Sequence, residues 1–382
     1  MVYLPFIIIN GTIISIMSDE TLAIVIDTGS SSIKAGFAGS DVPKTRIPTI
    51  VGVDNEDDVV VGQSAFERQG NVGLFRPIQH GIVRNWALAE SVWEHVFANE
   101  LKVSQEDHPV LLTEPPLNPK LHRERCCQLF FESFHTPALY LAPTSLLSLY
   151  SSAKTSGFVL DIGEGVAHSV PIHEGCIMPY TIVRLDIGGF DLTSHLISQI
   201  EVLKQSGFEG RRIANLIKEE CCYVSKDFDK EIKEMEKNPN LFKKEYTLPD
   251  GTKINLVKER ITSPELLFKP EIAGRNCPNL AEICYHSVRM CSPELHRTMF
   301  SNILLTGGTT LFEGFLDRCE YEIGALVNKN VPVKVISSTH PRDIAVWIGG
   351  SIIANLPNFQ PMWVTKEEYD EAGPTVIHRK CF

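Results

Sequence analysis

Three things are missing from this chain, and each absence closes a route. No C-x-x-C pair occurs among its ten cysteines, and no histidine stands at zinc-site spacing from Cys277, Cys284 and Cys291. That evenly spaced trio is therefore read as one face of a helix. The adjacent pairs Cys126-Cys127 and Cys221-Cys222 are read as structural too, because neighbours on a helix point in different directions. Scattered cysteines in a long chain without a secretory signal point to reduced, mostly buried thiols, and so to the cytoplasm or nucleus. An excess of basic charge is also missing: 36 Lys and Arg stand against 47 Asp and Glu, a net charge of -11. Phosphate contacts need clustered cations, so no direct nucleic-acid partner is expected, and basic partner surfaces fit better. Finally, no apolar run is long enough to span a bilayer. Met1 to Ile16 is apolar, but it lacks a basic leading region and contains Pro5 and Gly11. Residues 1–16 are expected to be a non-core extension, with Met17-Ser18-Asp19-Glu20 reading as a second start.

What remains is ordinary soluble-protein composition, 43% hydrophobic and 22% charged over 382 residues, which is too long for one simple core. Two stretches share an unusual construction, an apolar strand running into an aspartate and a small-residue turn. They are Ile24-Val25-Ile26-Asp27-Thr28-Gly29-Ser30-Ser31-Ser32 and Phe158-Val159-Leu160-Asp161-Ile162-Gly163-Glu164-Gly165. Glycine in such a turn lets backbone N–H groups face an anion, and an aspartate at the strand end can hold a metal or its waters. Ile303-Leu304-Leu305-Thr306-Gly307-Gly308 repeats the strand-to-glycine half, so the chain reads as a duplication built around one phosphate.

Between these turns, Leu88, Val92, Val96 and Leu101 have the spacing of an amphipathic helix, and Val110 to Glu114 reads as a strand stopped by Pro115-Pro116. A helix pattern follows Asp191 to Ile200, and the Lys/Glu-rich section Lys218 to Lys244 reads as solvated helix and loop. No low-complexity linker separates the halves, so they are expected to share an interface with a cleft that can hinge.

Asp27-Thr28-Gly29-Ser30 with Lys34-Ala35-Gly36-Phe37-Ala38-Gly39 resembles the first phosphate loop of actin. His108 to Lys120, Gly307-Gly308-Thr309-Thr310, Trp347-Ile348-Gly349-Gly350-Ser351 and the terminus Glu368 to Phe382 resemble further actin stretches, in order along the chain. The resemblance implies an α/β, two-lobed fold of the actin, Hsp70 and hexokinase type, with duplicated sheet domains around a nucleotide cleft. It places one lobe in 17–143 plus 338–382, with a shortened subdomain at about 49–78, and the larger lobe in 144–337. It further implies ATP or ADP with Mg²⁺ in the cleft. Asp27, Asp161 and Glu164 would face the metal through water. Gly29, Ser30, Ser31, Lys34, Gly163, Glu164 and Gly165 would hold the phosphates, and Lys218, Glu219, Gly307, Gly308 and Leu311 the adenosine. A cleft at the other end, lined by Tyr150, Glu174, Ile352, Ile353, Leu356 and Met362, would take actin-binding-type proteins, and actin or actin-related proteins are further partners the family implies.

The departures from actin fall where something happens. Thr144 stands in the place of the glutamine that orients the attacking water, while His168 keeps the second polar position, so slow hydrolysis at most is expected, with Asp161, His168 and Thr144 as the catalytic set. Glu164 replaces an aspartate, and Asp343-Ile344 replaces a lysine and tyrosine beside the adenine, which lowers the expected nucleotide affinity. Ser31 and Ser32 replace a glycine and an apolar residue, and Phe190 an arginine. Val53-Asp54-Asn55-Glu56-Asp57-Asp58-Val59 is all that remains of the long filament loop, and Arg275 stands in the apolar plug, reading as an unpaired charge. The expectation is a divergent, cytoplasmic, cytoskeletal actin-like protein with impaired hydrolysis and self-assembly. The alternative is a non-polymerising scaffold subunit of a larger cytoskeletal or nuclear complex. A sugar kinase or chaperone ATPase gives no reason for the near-actin terminus.

Overall fold

The computed structural model describes residues 22–381 apart from 57, 205, 206 and 339, and the backbone of an antiparallel hairpin at Phe6–Ile9 and Thr12–Ser15. The rest of the extension, the second start at Met17 to Glu20, Asp57 and Phe382 lie outside the described residues.

Ile24–Thr28 and Gly157–Ile162 are the central strands of two separate six-stranded sheets. Both are apolar on both faces, because both faces are covered: Ile24, Val25, Ile26, Phe158, Val159 and Leu160 are fully buried. Each pairs antiparallel with the strand that follows its turn, Ser32–Phe37 in one sheet and Ala167–His173 in the other. On the opposite side each pairs with a parallel strand, Val110–Glu114 or Ile303–Thr306, which is itself parallel to a further strand, Ala138–Pro143 or Val335–Ser337. The two sheets thus follow one plan, and their registers match: Asp27 faces Lys34 across its hairpin as Asp161 faces His168. The strand-aspartate-turn duplication seen in the sequence is a duplication of topology. In open sheets of this kind, ligands sit beyond the carboxyl ends of the strands, where both aspartates lie.

Two cores sustain the two lobes. One draws on residues from Ala23 to Leu147 and from Val346 to Cys381, and the other runs from Phe158 to Val335. In the first, helix Ala345–Ala354 carries two tight contacts. Trp347 Nε1 donates to the carbonyl of Val25 at 3.0 Å, and Gly349 lies so close to helix Thr144–Tyr150 that an added Cβ would meet the Leu147 carbonyl oxygen at 1.8 Å. The C terminus is pinned to this lobe by Arg123, which donates to the Cys381 carbonyl at 2.7 Å, and by the Lys380–Glu368 ion pair at 2.8 Å.

One expectation needs correcting. Helix Leu280–Arg289 contains Cys284 alone of the evenly spaced trio. Asn279 accepts from the N–H of Glu282 while Glu282 accepts from Asn279, a reciprocal cap that fixes the first turn and leaves Cys277 outside and exposed; Cys291 lies past the other end. All ten cysteines are free thiols. The shortened filament loop is a hairpin, with Val51–Val53 paired to Val59–Val61, and Asp54 Oδ1 ties its tip by accepting from the N–H groups of Glu56 and Asp58 at 2.9 Å each. Among the described residues no helix is long and apolar enough to cross a membrane.

Candidate nucleotide cleft

Where the turns of the two sheets meet, a cavity of about 600 Å³ opens between the lobes. The structure brings every residue singled out for catalysis, cofactor or metal to its wall. Asp27, Gly29, Ser30, Ser31 and Lys34 come from the first turn, Thr144, Asp161, Gly163, Glu164, Gly165 and His168 from the second hairpin and the helix before it. Lys218 and Glu219 enter from helix Gly207–Cys221, and Gly307, Gly308 and Leu311 from the third turn. Gly307 is at φ +90°, with an added Cβ falling 2.3 Å from the Ile162 carbonyl oxygen, so only glycine lets this turn close against the second.

Lys34 Nζ reaches Asp27 Oδ2 at 3.0 Å, and Thr113 donates to the other carboxylate oxygen at 3.0 Å. Asp161 receives a hydrogen bond from Thr144 Oγ1 at 3.3 Å. Burial, and then repulsion from Asp27, push the Asp161 carboxyl up to about 6, against the opposing pull of Thr144 and Lys34. His168 is pushed down to about 4 by burial and by Arg184, so its ring is neutral at pH 7. Its Nε2 is buried with no hydrogen-bond partner among the described residues. Lys218 is buried and donates to the Gly189 carbonyl and to Thr193 Oγ1, each at 3.0 Å.

Several side chains have partners that change their reading. The Glu164 carboxylate lies between two cations, 3.8 Å from Lys218 and 3.9 Å from Arg76. Asp343 is paired with Arg46 at 2.7 Å, so it does not present a bare carboxylate to the cavity. Arg275, read from the sequence as unpaired, is ion-paired with Asp191 and donates to the Asp186 carbonyl at 3.1 Å. At the other end of the molecule, Glu174, Ile352 and Leu356 are exposed and Tyr150 and Met362 half-buried, whereas Ile353 is turned into the first core.

Sequence reasoning missed Arg46, Thr309 and Arg342 in the wall, and with them the turn at His80-Gly81. Gly81 N–H donates to Ser30 Oγ at 2.9 Å, and His80 Nδ1 donates to the Gly165 carbonyl at 2.8 Å, so this turn ties the two phosphate-type loops together. A histidine-glycine pair between the short strands Ile78–Gln79 and Ile82–Val83 was the available signal.

Two sheets of one plan, facing each other over a cleft framed by repeated aspartate and glycine turns, define a two-lobed α/β protein of duplicated design. The family model described as Actin matches residues 18–207 and 202–382. The chain belongs to the actin family, and its fold is the actin-type fold.

Proposed function

We propose that the chain is a divergent actin-like protein that takes ATP or ADP with Mg²⁺ in the cleft, hydrolyses slowly if at all, and does not build ordinary filaments by itself. The observation that carries the nucleotide reading is the pair Asp27 and Asp161, two carboxylates from equivalent turns that repel across one cavity. A divalent cation that Asp27 and Asp161 faced through water would offset that repulsion. Bound Mg²⁺ would neutralise developing charge on the phosphates. Ser30, Lys34 and the N–H groups of the two glycine turns would orient the phosphates, and Lys218, Glu219, Gly307, Gly308 and Leu311 the adenosine. Glu164, 3.8 Å from Lys218 and 3.9 Å from Arg76, would face the metal through water with Asp27 and Asp161. Thr144 has a short side chain whose hydroxyl is spent on Asp161, which leaves His168 Nε2 as the free polar atom for a water. The lobes we assign are 17–143 with 338–382, and 144–337, with the acidic hairpin region at about 49–78. We place the protein in the cytoplasm with the cytoskeleton, and its partners at the exposed cleft of Tyr150, Glu174, Ile352, Leu356 and Met362.

A second reading, a scaffold subunit of a larger complex with structural nucleotide or none, is favoured by the acidic tip of the Val51–Val61 hairpin. One preparation of the full chain decides between them, by calorimetric titration with Mg-ATP and single-turnover phosphate release. Saturable binding is expected, with slow cleavage that Thr144→Gln raises by about tenfold or more. A stably folded chain that binds no Mg-ATP would sink the nucleotide reading and leave the scaffold.

A further inference from the structure

A second cavity of about 290 Å³ adjoins the main one, with Ser31, Ser32, Arg46 and Glu164 lining both. Four arginines line it: Arg46, Arg76, Arg211 and Arg212. Among the described residues its one lining carboxylate is Glu164. This concentration of cation is foreign to a chain with a net charge of -11.

Two of the four are satisfied. Arg46 is paired with Asp343 at 2.7 Å, and Arg212 grips both oxygens of Glu209, its Nε at 2.9 Å. The other two are not. Arg76 approaches Glu164 only to 3.9 Å, too far for a hydrogen bond, and its Nε is buried with no partner among the described residues. Arg211 donates to Ser194 Oγ at 3.1 Å and weakly to the Phe190 carbonyl, both uncharged. Both guanidiniums stand over the same Phe190 ring, with Arg211 3.9 Å and Arg76 5.7 Å from its centroid. They repel each other there, and burial followed by that repulsion pulls Arg211 below its ordinary range. The nearby acids do not cancel this charge. Glu164 is shared with Lys218, and Asp191, which also attracts Arg211, is taken by Arg275. Ser31 and Ser32 also line the cavity, and neither engages its hydroxyl in a hydrogen bond among the described residues.

We propose that this cavity is a binding site for a compact phosphate-type oxyanion, separate from the nucleotide cleft, with Arg76 and Arg211 as its charged forks. Planar guanidiniums offer paired N–H donors that match phosphate oxygens, and an anion between them replaces repulsion with charge-assisted hydrogen bonds. The volume admits inorganic phosphate or pyrophosphate, and also a phosphate ester of a small metabolite. Arg76 and Arg211 line this cavity and not the nucleotide cleft, with which it shares Ser31, Ser32, Arg46 and Glu164.

Calorimetric titration of the full chain with pyrophosphate, in magnesium-free chloride buffer, tests the assignment. Saturable uptake is expected in the wild type. The paired change Arg76→Gln with Arg211→Gln is expected to weaken it by about tenfold or more, with Arg76→Lys, which keeps the charge but loses the fork, in between. Lys34→Gln, which alters the neighbouring cleft, should leave that arginine-dependent uptake in place. Glycerol phosphate in place of pyrophosphate separates the sources: comparable affinity marks a phosphate ester site, and a preference for pyrophosphate marks free polyphosphate. If the paired glutamine variant loses its cooperative melt, Arg76→Lys carries the comparison. Uptake abolished by Lys34→Gln and untouched by the arginine changes puts the anion in the main cleft and overturns the proposal, as does an absence of saturable uptake by the wild type.

Discussion

Asp161 is a carboxyl whose ionisation costs the protein stability. Its folded value of about 6 lies above the ordinary 3.8, so the folded chain holds a proton there that the unfolded chain has released. The stability this contributes is full below about 3.8 and is lost as pH rises through about 6. His168 works in the opposite sense, since its folded value of about 4 lies below 6.5 and stability grows as pH rises across that window. Asp161→Asn isolates the first effect, because both proteins keep His168. In magnesium-free buffer the thermal midpoint of the variant is expected to gain on the wild type between pH 4 and 6 and to hold that lead above. A constant gap across that range would show that Asp161 is not perturbed. Residues of this kind were legible in the sequence because a strand, an aspartate and a glycine turn are a local pattern with its own chemistry. Their partners were not. Arg46 and Asp343 are 297 positions apart, and Arg275 and Asp191 are 84 apart, so no local pattern could tell a bare charge from a paired one.

At the level of elements, the close approach of helices Ala345–Ala354 and Thr144–Tyr150 rests on Gly349. Gly349→Ala drives a methyl into the Leu147 carbonyl, and because the obstacle is backbone, helices Ala345–Ala354 and Thr144–Tyr150 must move apart. A loss of about 3 kcal/mol is expected, read as a lower urea midpoint with an unchanged slope. An unshifted midpoint would mean that the contact is easily relaxed. The Trp-Ile-Gly-Gly-Ser run stood out in the sequence only as resembling actin; the fold shows that it is helical and that its glycine is there for space. The cysteine trio failed in the reverse way: regular spacing suggested a helix face, and a cap at Asn279 that starts the helix past Cys277 ended the pattern. Periodicity reports where a helix could run, whereas capping decides where it starts.

For the whole molecule, the question is whether copies join. The hairpin between Val51–Val53 and Val59–Val61 ends in a tip carrying Asp54, Glu56 and Asp58 where the family has a long, largely apolar loop. Its tightness, set by Asp54, leaves little to reach a neighbour with. Arg275 weakens the case less than its sequence suggested, since Asp191 neutralises it. Purified protein in magnesium and salt is therefore expected to stay in the supernatant on high-speed centrifugation, and a pellet of regular helical filaments would refute this. The two-lobed plan itself was readable in outline from the repeated turns, since the duplication is written in residues that the cleft requires. The arrangement of the cores has a further consequence, for synthesis. The first core needs residues up to Leu147 and again from Val346 to Cys381, while the second is complete by Val335. On the ribosome, the second lobe has all its residues before the first does. The apolar strands Ile24–Thr28 and Val110–Glu114 must wait, uncovered by helix Ala345–Ala354, until the last segment emerges. During synthesis these strands are therefore apolar surface left open until their cover is made, and folding of the first lobe waits on residues 345–381.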